Sequence, residues 1–178
     1  MTVYLSTLLG QTIQDTAKAL DTQINTPHHD CGDDAYTTAS RQAVSATTEY
    51  AFENNAAFEN TNFPAHITKL WDTTTNKCYF TEVQDTPMYV ARIQFNFDPT
   101  VAAAGFVEVR AYIDDTTPKL IQTIRIPYKA ADSRMEALFA FYVGSETGYD
   151  MKADGLYFTY EADAAGEVYD RGILIYRT

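Results

Sequence analysis

The chain has 178 residues, 24 of them acidic against 13 basic, and a formal net charge of −11 at pH 7. An acidic surface of this size argues against a nucleic-acid backbone or an anionic membrane as partner, because both demand a Lys/Arg footprint. No apolar run approaches the ~20 residues that span a bilayer. A chain of this length buries roughly 70% of its unfolded surface and needs neither disulfide nor metal to fold.

The first residues, MTVYLSTLLGQTIQ, have no basic n-region and no small-residue cleavage site after a continuous apolar core, so a signal peptide is not expected. Ile13, Ala17, Leu20 and Ile24 follow at spacings of four, three and four, an a/d stripe of about two heptads. A helix this short is marginal alone and calls for a partner surface, either its own domain or further copies of itself. Pro27 breaks the stripe, and HHDCGDD reads as a loop. His28, His29, Cys31, Asp33 and Asp34 are metal-ligand types. However, adjacent histidines point apart on an extended chain, and no second Cys/His pair stands at zinc spacing, so no metal site is expected. With Cys31 and Cys78 as the two cysteines, the expectation is free thiols in a cytosol-made protein.

Residues 35–63 are rich in Thr, Ala, Asn and Glu. A helix over Arg41–Asn55, with Val44, Thr47, Thr48 and Ala51 on one side, competes with an extended arm that orders against a partner. Residues 1–64 therefore read as an N-terminal arm and connector serving attachment or oligomerisation.

From residue 65 the texture becomes β. His66–Trp71 and Lys77–Val83 flank a polar hairpin turn. Tyr89–Phe97 places Tyr89, Ala91, Ile93, Phe95 and Phe97 on one face, and Phe106–Ile113 does the same with Val107, Val109, Ala111 and Ile113. Leu120–Ile126 is the next strand, ended by Pro127. Met135–Val143 alternates through Met135, Ala137, Phe139, Phe141 and Val143. Leu156–Ala162 and Val168–Arg177 complete the set, with a turn around Gly166 between them. About eight short strands without crossover helices predict a mainly β protein, an antiparallel β-sandwich. A jelly roll suits an apolar last strand best, with an immunoglobulin-type sandwich as the alternative.

The sequence carries no Gly-x-Ser-x-Gly elbow, Walker A loop or His-Glu-x-x-His. No catalytic residue, cofactor or enzymatic activity is expected. Asp114-Asp115 and Asp150/Asp154 could bind Ca2+ through loop oxygens but match no EF-hand spacing. Trp71, Tyr142, Tyr149 and Tyr157 are the rings available to a sugar-binding or host-receptor-binding module. Tyr149 leads them, because a ring in a polar loop has no core to fill. The outward rings and aliphatics Phe106, Tyr112, Leu138, Tyr142 and Tyr157 would be costly to leave as one exposed patch, which predicts self-association.

The stretch LFAFYVGSETGYDMKADGLYFTYEAD and the ending GILIYRT, preceded by a Thr/Asn/Ala-rich connector, resemble bacteriophage virion structural proteins. The likeness is to head-decoration or head-fibre proteins with a TNF-like trimeric jelly roll, and it covers roughly Ile67–Thr178. It implies a homotrimer, a virion location after synthesis in the host cytoplasm, and no catalysis. It also implies attachment to the major capsid or another virion protein through the N-terminal region. Under that reading Ile13, Ala17, Leu20, Ile24, Phe106, Tyr112, Leu138, Tyr142 and Tyr157 are the attachment or oligomer contacts. Tyr149 is the ligand contact of the alternative, glycan-binding reading.

Overall fold

The computed structural model describes residues 28–62, 70–80, 88–114, 116–129, 131–143, 145–146 and 149–178. The expected helical stripe of Ile13, Ala17, Leu20 and Ile24 lies outside them.

The first strands are short: β1 (His28–Gly32), β2 (Gln42–Val44), β3 (Glu49–Ala51), β4 (Phe58–Thr61), β5 (Trp71–Asp72) and β6 (Lys77–Cys78). Four long ones follow, β7 (Met88–Pro99), β8 (Gly105–Ile113), β9 (Lys119–Tyr128) and β10 (Ser133–Tyr142). The two-residue strands β11 (Ser145–Glu146) and β12 (Tyr149–Asp150) form a small ribbon, and β13 (Leu156–Ala162) and β14 (Gly166–Arg177) end the series. One helical turn, Met151–Asp154, is the only helix among the described residues. Asp150 caps it by accepting hydrogen bonds from the backbone N–H groups of Lys152 and Ala153.

The strands form two antiparallel sheets. Sheet 1 runs β10-β7-β14-β1-β4, with β2 also against β14; sheet 2 runs β5-β6-β13-β8-β9, with β3 also against β13. The pairings are nested around the β8–β9 turn: β8 with β9, β7 with β10, β3 with β13, β1 with β14. Successive nested pairs alternate between the sheets. A hairpin ribbon rolled over on itself in this way is a jelly roll, so the expected mainly β sandwich is the observed fold.

The period-two pattern is what builds the core. β7 alternates half-buried and buried along its whole length, and the inward faces of β8 and β10 hold the residues expected. Side chains from the two sheets interlock between them. Phe95 of sheet 1 meets Tyr160 of sheet 2 at 5.2 Å between ring centroids, Phe139 meets Phe158 at 5.3 Å, and Phe97 meets Tyr128 at 4.9 Å. Trp71 is fully buried, its indole N–H donating to the Asn54 carbonyl at 2.9 Å.

Three expectations are corrected. HHDCGDD is not a loop at its start: His28–Gly32 is β1, held between β14 and β4. Arg41–Asn55 is not helical, because β2 and β3 pair with β14 and β13, and Thr47, at φ 55°, reverses the chain between them. β9 runs through Pro127 to Tyr128, with Pro127 opposite Phe106. Residues 28–61 of the expected connector thus contribute strands to both sheets.

Candidate interaction surfaces

The outward residues of sheet 2 form a charge lattice. β8 presents Phe106, Glu108, Arg110 and Tyr112, and β13 presents Tyr157, Thr159 and Glu161. The Arg110 guanidinium contacts Glu161 at 2.8 Å, Glu49 at 3.3 Å and Glu108. Glu108 also receives Arg125, whose guanidinium lies 4.1 Å over the Phe106 ring. Burial alone would raise the Glu49 carboxyl, yet hydrogen bonds from Thr159, Tyr112 and Arg110 hold it below its usual range. Hydrogen bonds from Arg125 and Arg110 do the same for Glu108. Tyr112 and Tyr157 stack at 5.2 Å. Three of the expected contact residues, Phe106, Tyr112 and Tyr157, are therefore half-buried under charged neighbours on this face.

The other two lie on sheet 1. Leu138 is 50% exposed and Tyr142 67% exposed, both on the outer side of β10. Register places Leu138 beside Arg92, then Leu174 and Asp30; Ala140 beside Val90, then Tyr176 and His28; and Tyr142 beside Met88. The outer face of sheet 1 thus carries an apolar field of Leu138, Ala140, Tyr142, Met88, Val90, Leu174 and Tyr176. The Arg92 Nε within it is buried and has no hydrogen-bond acceptor among the described residues. On the adjoining edge strand β9, Leu120 (53%) and Ile121 are also exposed. Sequence reasoning placed Leu120 and Ile121 in a strand but did not single them out as surface residues. In fact β9 is exposed over its first five residues.

Two of the carboxylates considered for Ca2+ have structural partners. Asp114 pairs with Lys77, and Asp150 caps the helical turn. Trp71 is in the core and cannot present its ring to a sugar. Tyr149 lies in β12, and the ligand expectation for its ring falls outside the described side chains. At the opposite end of sheet 1, a bulge in β14 between Tyr169 and Gly172, with Asp170 at φ 50°, turns Arg171 inward. Its guanidinium bonds Asp33 at 2.7 and 2.8 Å, both side chains fully buried, and lies 4.3 Å over the Tyr36 ring.

No known protein family matches the sequence, and no curated protein matches it. Among solved structures the fold resembles PRD1 vertex protein P5, at 16% identity and a TM-score of 0.49, over 85% of this chain and 73% of that one. It also resembles Eiger TNF from S. frugiperda, at 8% identity and 0.48, over 86% and 92%. Murine APRIL gives 7% identity and 0.48, over 86% and 98%. The likeness is one of backbone arrangement, which the nested strand pairing establishes on its own.

Proposed function

We propose that this chain is a non-enzymatic, oligomeric virion structural protein: a capsid-decoration or head-fibre component whose jelly roll self-associates and whose N-terminal residues attach to another virion protein. The observation that supports self-association is the apolar field on the outer face of sheet 1, where Leu138 and Tyr142 stand half or more exposed. Large contiguous apolar patches of this kind mark interaction sites. A closed cyclic assembly would cover the field identically in every copy, and three copies is the number implied by the sequence resemblance. The Arg92 guanidinium, left with a buried Nε, would gain an acceptor across such a contact. The charge lattice on sheet 2 would remain solvated, and a net charge of −11 would keep unassembled copies apart.

Light scattering on the intact chain tests this. The expected mass is three times that of the single chain. Leu138→Glu together with Tyr142→Glu is expected to reduce it to one copy, while Tyr112→Glu leaves it at three. A single-copy mass for the unaltered chain overturns autonomous assembly.

A further inference from the structure

A second, independent site lies between β1 and β4 of sheet 1. Along β1, His29 and Cys31 are two residues apart and face the same side, into the sandwich. Cys31 pairs directly with Glu59 of β4, which brings that carboxylate onto the same face. A ring nitrogen of His29, the Cys31 Sγ and a Glu59 carboxylate oxygen all lie within 4.8 Å of one another, and His29 Nε2 is 3.1 Å from Glu59 Oε1. His29 and Cys31 are buried, whereas Glu59, 39% exposed, forms the rim. Neither cysteine is in a disulfide.

We propose that His29, Cys31 and Glu59 form a three-ligand site for a thiophilic divalent cation of the Zn2+ class, entered past Glu59, with a fourth position open to water or to a group from another chain. One imidazole, one thiolate and one carboxylate is a donor set suited to zinc, and three protein ligands with an open position is a common zinc arrangement. Tetrahedral zinc with bonds of about 2.0–2.3 Å needs ligand atoms roughly 3.3–3.8 Å apart. The His29–Glu59 separation of 3.1 Å is slightly shorter than that, and the flexible, rim-placed Glu59 side chain can move to accommodate the ion.

The hydrogen bonding around His29 shows what binding exchanges. The Leu70 backbone N–H donates to His29 Nδ1 at 3.3 Å, so a neutral ring carries its proton on Nε2, 3.1 Å from Glu59 Oε1. Metal takes the place of that proton. The imidazole proton then resides on Nδ1, the Cys31 thiol releases its proton to solvent, and the Leu70 N–H withdraws. Leu70 immediately precedes Trp71, the single tryptophan. The Trp71 indole is tied to the Asn54 carbonyl, and the Asn54 side chain donates to the Cys31 carbonyl at 3.2 Å. Metal entry is therefore reported by the fluorescence of a residue that does not itself bind it. Cys78 lies on β6 of the other sheet and is not one of the three clustered donors, which leaves Cys31 as the sulfur ligand.

The test titrates the intact, reduced chain with Co2+, then with Zn2+ as competitor. One equivalent of Co2+ is expected to give a thiolate-to-cobalt charge-transfer band and to change Trp71 emission, and Zn2+ is expected to displace it. Cys31→Ser abolishes the band and Cys78→Ser retains it. Glu59→Gln, at the exposed rim, weakens Zn2+ binding at least tenfold with unchanged far-ultraviolet circular dichroism, so the proposal stays testable even if Cys31→Ser fails to fold. No band in the unaltered chain at stoichiometric Co2+, a band that survives Cys31→Ser, or full Zn2+ affinity in Glu59→Gln overturns it.

Discussion

The Arg171–Asp33 pair has both side chains out of water and two short hydrogen bonds between them. Removing one partner strands the other charge in the interior, so Asp33→Ala is expected to cost about 3–5 kcal/mol in urea unfolding. Replacing both residues with apolar side chains should cost less. Tyr128 carries a pH signature. Burial and a 2.7 Å hydrogen bond to Asp163 push its hydroxyl up to about 12, against the ordinary value near 10. Between those values the unfolded chain loses the proton first and the folded chain keeps it. The contribution is therefore complete below about pH 10 and is lost as pH rises through about 12. Thermal unfolding followed against pH should show this alkaline decline, and Tyr128→Phe should flatten it. Legibility at this scale was uneven. His29 and Cys31 stood out in the sequence as ligand types, but Glu59 joins them only through the β1–β4 register. That pairing is tertiary, and no local spacing encodes it.

Strands long enough to express a period were legible. β7, β8 and β10 each alternate over seven or more residues, β13 does so except at the buried Thr159, and their inward faces are those the sequence indicates. β2 and β3 have three residues each, too few to show alternation, and they are strands because β14 and β13 offer them open edges. The spacing of Val44, Thr47, Thr48 and Ala51 imitates a helical period by chance. Gly166 was read as a turn residue, yet it lies in β14, opposite Pro99 and Val44. A Cβ there would sit 2.5 Å from the Phe97 ring and 2.7 Å from the Asp98 carbonyl oxygen. Gly166→Ala is expected to lose about 1–3 kcal/mol through overpacking, measured as a lower denaturant midpoint at unchanged slope.

For the whole molecule, the all-β class followed from strand spacing and missing crossovers, whereas the extent of the sandwich did not. Residues 28–61 read as connector because their strands are short and polar on the outside, yet they contribute to both sheets. A chain beginning at residue 28 is expected to retain the β-sheet circular dichroism of the intact protein. One beginning at residue 65 should lose cooperative unfolding, because it lacks β1 to β4. Attachment through the N-terminal residues predicts that the chain starting at 28 still self-associates but no longer binds its particle in a sedimentation assay.

The place of β14 in sheet 1 bears on how the protein acquires its shape. β14 separates β7 from β1, so both of those strands present unsatisfied edges until it inserts. Its partner residues, from His28 to Pro99, are all made long before it. A nascent chain can close the local β8–β9 hairpin early, but sheet 1 must wait until residues 166–177 have left the ribosome. Contacts of such sequence separation make folding slow, in the range of milliseconds to seconds for all-β domains. Until then the open edges are the period of greatest risk, when two unfinished copies could pair with each other instead of each completing itself.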